Sequence, residues 1–147
     1  MSIDLNTLKQ GVEEKITFVK RCGLTLVEVK EGSVTCEMPA EGNENHIGSM
    51  YAGALFTLAE IPGGALWMLH FDVTRCYPTL KSFTIDFLKP AKGNIRFSLG
   101  LSKKKVQQLS DTCMEKGKVE FVLQGELTSE EGLVVARTRG TYQLRKY

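Results

Sequence analysis

Charge of one sign is what this sequence has least of. Nineteen lysines and arginines stand against seventeen acids, a net charge of +2, too little for the basic face that binding a phosphate backbone demands. A nucleic-acid partner is therefore not expected. The only basic clusters are Lys103-Lys104-Lys105 and Arg145-Lys146. Such runs ordinarily form a solvated face, with a landing site for a nucleotide phosphate as the alternative. Cysteine is sparse too. Cys22, Cys36, Cys76 and Cys113 lie far apart with no Cys-x-x-Cys pair, which argues against a zinc site and sets the metal expectation at none. A chain of 147 residues can bury a core without a disulfide framework, so the thiols read as reduced and the protein as cytoplasmic. The first residues lack a basic region followed by an apolar run, so no signal peptide is expected. Internal repeats, linkers and low-complexity segments are absent, and one domain over residues 1–147 is the expectation.

Long apolar runs are missing with one exception. From Ile47 to Leu69 the only charged residue is Glu60, and that length could span a bilayer. The glycines at 48, 53, 63 and 64, Pro62 and Glu60 itself make a poor lipid-facing helix, and no basic flank orients it. A buried central helix fits better, and no membrane partner is expected.

The rest of the chain carries two periodicities. Leu5, Leu8, Val12, Ile16 and Val19 recur at helical spacing, which predicts one amphipathic helix over about 6–22, capped by Asp4 or Asn6 and ended by Gly23. Residues 24–29 and 34–38 read as a hairpin about the turn Glu31-Gly32-Ser33, followed by a polar loop over 39–48. The central helix is predicted over about 49–69. Alternation then marks strands over 79–88, 95–101, 119–124 and 134–143, separated by the turn signals Lys89–Gly93 and Ser129–Gly132. Residues 107–117 are polar and read as an irregular strand end or a loop. Glu120, Glu126, Arg137 and Arg139 are candidates for pairing across the last two strands. Short turns make the late strands antiparallel, and the central helix is the one element apolar enough to cover them. The expected class is α+β, a long antiparallel sheet wrapped around a central apolar helix.

Glu60 is the chemical anomaly. A carboxylate inside an apolar helix must be paired, open to a cavity or protonated, because desolvating it unpaired costs several kcal/mol. Gly53 stands seven residues earlier, almost two turns, so the two share a face with Phe56 and Thr57 between them. Near the helix start, backbone N–H groups lack internal partners and the dipole is positive. A glycine there lets a carbonyl oxygen approach an N–H, which is how acyl-transfer sites polarise their electrophile. Asn45 and His46, in the loop leading into the helix, are candidates to orient water or bond a substrate carbonyl. Pro62 with Gly63-Gly64 should loosen the helix, and the two glycines most simply serve close packing. Phe56, Trp67 and Met68 shape either a pocket or the core.

The stretch Asn45-His46-Ile47-Gly48-Ser49-Met50-Tyr51-Ala52-Gly53-Ala54-Leu55-Phe56-Thr57-Leu58-Ala59-Glu60 resembles the central-helix signature of hotdog-fold thioesterases. The branches it is most similar to are the phenylacetate-pathway type and the thioesterase-like domain fused to some acetyltransferases. Gly48 and Gly53 match the family's glycines, residues 55–59 its helix body, Glu60 its acid and Lys89–Gly93 its following turn. The histidine-glycine pair of the pattern reads Tyr51-Ala52 here, and the acid is glutamate rather than aspartate.

The resemblance implies hydrolysis of an acyl-CoA or similar thioester, with Glu60 as nucleophile or general base and the Gly53 N–H as polarising donor. It implies no cofactor beyond the coenzyme A of the substrate. Tyr51, Phe56, Thr57, Thr84 and Lys89 are implied to bind substrate, with Lys92 and Lys103 as further cations for the CoA phosphates. It also implies a homodimer or dimer of dimers with sites at the subunit boundary, completed by Thr84 or a neighbour from the partner. Two other readings use the same residues: a hotdog 3-hydroxyacyl thioester dehydratase or hydratase built on His46 and Glu60, and a non-catalytic acyl-thioester-binding module.

Overall fold

Why six strands curl round one helix follows from where the apolar residues fall. The computed structural model describes residues 3–147; Met1 and Ser2, which open the stretch read above for a signal pattern, lie outside the described residues. The N-terminal segment forms α1 (Leu5–Glu13) and α2 (Thr17–Cys22) rather than one helix. Asp4 caps α1 by accepting from the Thr7 N–H at 2.9 Å. At the break, Glu13 accepts from the Leu26 N–H at 2.8 Å and pairs with Lys9 at 3.0 Å. The turn carries Val19 into the core and leaves Ile16 exposed, a change of direction that helical spacing alone did not reveal.

The hairpin β1 (Thr25–Lys30) and β2 (Ser33–Met38) forms as expected, with a bulge between Leu26 and Glu28. The central helix α3 runs Ala52–His70 and starts three residues later than its composition suggested. Met50 is tied instead to the Ala91 carbonyl at 2.8 Å, and Tyr51 is extended at the N-cap. By length and composition α3 could cross a membrane; more than half of its most apolar window is buried inside this fold. Leu55, Leu58, Ala59, Ala65 and Leu66 are buried in the core. Each fully buried leucine contributes about 1.5–3 kcal/mol.

After α3 come β3 (Cys76–Phe87) and β4 (Ile95–Gly100). Residues 103–116, part of which read as loop or irregular strand, are a helix, α4 (Lys103–Lys116). The Ser102 hydroxyl caps it by accepting from the Lys105 N–H at 3.1 Å, and Gly117, at φ 84°, ends it in the left-handed region that glycine adopts without cost. Only Leu109 and Cys113 are buried along α4, so its apolar stripe is too thin to stand out among lysines and glutamines. The final hairpin is β5 (Lys118–Ser129) and β6 (Val134–Lys146). Within it Arg137 pairs with Glu126 at 2.9 Å, while Glu120 lies opposite Gln143 and Arg139 opposite Gln124.

The sheet order is β1-β2-β4-β5-β6-β3, antiparallel throughout. This is the α+β hotdog arrangement. It leaves β3, twelve residues long, bonded on one side only. Phe83 and Ile85 are half-buried on β3, whereas Phe87 is exposed, so the alternation there covers less than its sequence pattern implies.

Candidate active site

Between Gly53 and Leu66 of α3, the residues left less than fully buried are Gly53, Phe56, Glu60 and Gly64, at helical spacing. Gly53 and Glu60 therefore share one stripe, as their separation required. Glu60 is half-buried and takes part in none of the ion pairs formed among the described residues. Burial, with no compensating charge, holds its carboxyl above the ordinary glutamate value of 4.5. Beneath it, the Tyr142 hydroxyl donates to the Glu60 backbone carbonyl at 3.1 Å. Burial raises the Tyr142 phenol, and the Glu60 charge raises it further, so the tyrosine stays neutral. Tyr142 stacks on Phe121 with ring centroids 5.8 Å apart. A β-carbon on Gly63 would lie 2.7 Å from the Tyr142 ring, so Gly63 is the close-packing glycine. Gly64 meets nothing within 4 Å and does not share that role.

Gly53 occupies the second position of α3, where an N–H has no partner within the helix. Tyr51 at the N-cap provides no side-chain bond, and the Gly53 N–H has no backbone partner among the described residues. A β-carbon at Gly53 would meet the Tyr51 ring at 2.5 Å, so the glycine is what allows that ring to fold over the helix start. The close approach is to an aromatic ring of the same segment.

The other residues singled out from the sequence divide into groups. Thr57 is 6% exposed and its hydroxyl donates to the Gly53 carbonyl at 2.8 Å. It points along the helix into the interior, so a direct substrate contact is not supported. Phe56 is partly exposed and packs edge-on against Phe83 of β3, with centroids 4.9 Å apart. Thr84 is exposed on the free side of the sheet, opposite Arg139 in register. Asn45 is committed to shaping the loop: its side-chain oxygen accepts from the Ile47 N–H at 3.0 Å and the Ser49 N–H at 3.1 Å. Gly48, at φ 83°, completes that turn. His46 is exposed at the loop surface, away from both cavities described next.

Two cavities flank the start of α3. The larger, about 340 Å³, lies on the side of Ala52 and Leu55 and is lined by Asn45, Phe87, Leu88 and Lys89. The smaller, about 210 Å³, lies on the side of Gly53 and Tyr51 and is walled by α2. Glu60 lines neither. The sequence reading missed Tyr142, Phe18, Cys22 and Asn43 as parts of this region. A buried tyrosine needs a partner for its hydroxyl, which is the one signal that pointed to Tyr142; the others meet the helix start only through the fold.

Known proteins bear on this arrangement. A Pseudomonas aeruginosa protein, described as of unknown function and a probable thioesterase, is 48% identical over 100% of this chain and 99% of its own, with a TM-score of 0.95. A Haemophilus influenzae thioesterase is 16% identical over 99% and 93%, with a TM-score of 0.78. A Staphylococcus aureus thioesterase is 16% identical over 88% and 99%, with a TM-score of 0.71. The last two speak for the fold alone. Among curated proteins nothing matches. The family model described as DUF4442, a domain of unknown function, matches residues 6–144. The chain belongs to that family, within the hotdog-fold thioesterase superfamily.

Proposed function

We propose that this protein hydrolyses an acyl-CoA or similar thioester to the free acid and thiol. The observation that carries the reading is Glu60, a half-buried carboxyl without a charged partner, raised by burial and aligned with an unbonded N–H at the helix start. A carboxylate raised towards neutrality suits general-base work. Glu60 takes a proton from water, and the water oxygen attacks the thioester carbonyl carbon. The Gly53 N–H donates to the carbonyl oxygen as negative charge develops on it, a contribution of about 10²–10³ in kcat for one such donor. The carbon–sulfur bond then breaks and the thiolate leaves, taking the proton held by Glu60. Lys89, at the rim of the larger cavity, suits the phosphates of coenzyme A. The name borne by the Pseudomonas aeruginosa relative supports the same reaction class. In the Staphylococcus aureus protein a glutamate and a glutamine fifteen residues before it have each been replaced by alanine. Asn45 and Glu60 have that same spacing.

A homodimer goes with this reading. Seven residues of helix separate Gly53 from Glu60 by about 10 Å along the axis, and the Gly53 N–H points away from Glu60. Donor and base therefore serve one carbonyl more readily if they come from different chains. The unpaired edge of β3, with Leu80 and Phe87 exposed, offers the surface for a second copy, and Thr84 of the partner subunit would then approach the site. The test is thiol release from a panel of acyl-CoAs by wild type, Glu60→Gln and Gly53→Pro. Each variant should lose at least 100-fold in kcat, and an equimolar mixture reassembled from both should regain about a quarter of wild-type activity if each site spans two chains. Unchanged turnover in folded Glu60→Gln refutes the assignment.

A further inference from the structure

A thioester carbonyl held at the start of α3 has two groups to accommodate, the acyl chain and the thiol carrier, and they leave in opposite directions. The two cavities there differ in chemistry. Lys89 lines the larger one. The ionisable group of opposite sign, Glu44, lines the smaller one, together with Phe18, Cys22, Tyr51, Gly53 and Ala54. A phosphate-bearing carrier is drawn to the lysine and repelled by the glutamate. The smaller cavity touches Gly53 directly, has aromatic rings at two sides and is built as a fixed wall. Asn43 secures it, donating to the Cys22 carbonyl at 2.8 Å and the Pro39 carbonyl at 2.9 Å while its own carbonyl accepts from the Tyr51 N–H at 2.8 Å. Phe18 and Tyr51 are large aromatic residues left 54% and 60% exposed beside it among the described residues.

We infer that the cavity between α2 and the start of α3 is the acyl subsite, and that Phe18 and Cys22 set the acyl length. This rests on the thioesterase reading above. A cavity of about 150 Å³ holds a benzene ring, so 210 Å³ takes an aryl group or a chain of about six carbons and leaves a long chain protruding. Cys22 and Phe18 line the wall that α2 supplies, with Phe18 54% exposed at its outer side.

Two measurements test this separately from hydrolysis. The first compares kcat/KM for acetyl-, hexanoyl-, phenylacetyl- and palmitoyl-CoA in wild type, Cys22→Phe and Phe18→Ala. Filling the cavity with Cys22→Phe should lower the hexanoyl-to-acetyl ratio at least 10-fold, and Phe18→Ala should move the optimum to a longer chain. The second needs no turnover. Cys36, Cys76 and Cys113 are buried, so Cys22 is the thiol open to reagents. S-hexyl-CoA, a thioether that cannot be hydrolysed, should slow iodoacetamide labelling of Cys22 at least 5-fold, and free coenzyme A should not. Turnover with unmoved ratios and no protection overturns the subsite and leaves the thioesterase reading standing. Protection without turnover of any thioester upholds the subsite and overturns hydrolysis, and absence of both overturns the two together.

Discussion

Replacing Glu60 by glutamine should stabilise the protein, by an amount that grows with pH. The side chain keeps its shape and loses its proton equilibrium. In the wild type, burial places the folded-state value above 4.5, the ordinary value for an unfolded chain. The folded state therefore favours the protonated form. Its contribution is fully present below 4.5 and is lost as pH rises through the folded-state value. Above that, the native protein carries a desolvated carboxylate with no ion-pair partner among the described residues. Each pH unit by which the folded value exceeds the unfolded one is about 1.4 kcal/mol of lost stability. For a chain of this size 1 kcal/mol moves Tm by roughly 2–4 °C. Calorimetric scans at intervals from pH 4 to 8 would read the difference in Tm between Glu60→Gln and wild type. That difference should be smallest at pH 4, climb through the acid range and level off. Any constant offset from the amide's own hydrogen bonding is separable, because it does not change with pH. A difference that stays flat, or falls as pH rises, would refute the claim that Glu60 is desolvated without a partner.

Further outcomes follow from the packing below the site. Tyr142→Phe removes the 3.1 Å bond to the Glu60 carbonyl and should cost about 0.5–1.5 kcal/mol in urea unfolding; Gly63→Ala, whose new methyl would press on the Tyr142 ring, should cost about 1–3 kcal/mol. At the far end of α3, the His70 Nε2 is buried with no partner among the described residues, and burial lowers the imidazole below 6.5, opposed in part by the Gly32 backbone. A base lowered in the folded state gives stability that is present above 6.5 and lost as pH falls through the folded value. The slope of Tm against pH just below 6.5 should therefore flatten in His70→Gln.

Much of the fold was legible because sequence period and burial agree. Val34, Cys36 and Met38 alternate and are buried, as are Ile95, Phe97 and Leu99, so β2 and β4 announced themselves. The central helix did so by composition. Where the reading failed, the cause was local. The bend between α1 and α2 is set by Glu13 reaching the Leu26 N–H, a tertiary bond that no helical pattern carries. Helix α4 buries two residues, too few for a period to stand out. At the site, the alignment of Gly53 with Glu60 was legible because helix geometry fixes it. The inward turn of Thr57, the commitment of Asn45 to its own loop and the approach of α2 to Tyr51 were not, because each depends on which neighbours the fold supplies.

The base proposed for the reaction is Glu60, its carboxyl raised by burial. The pH profile of kcat/KM for hexanoyl-CoA hydrolysis tests it most directly. A single acid limb with its midpoint above 4.5, and loss of that limb together with at least 100-fold of the rate in Glu60→Gln, is the outcome this account requires. A midpoint at or below 4.5, or a limb that survives in the glutamine variant, would contradict it.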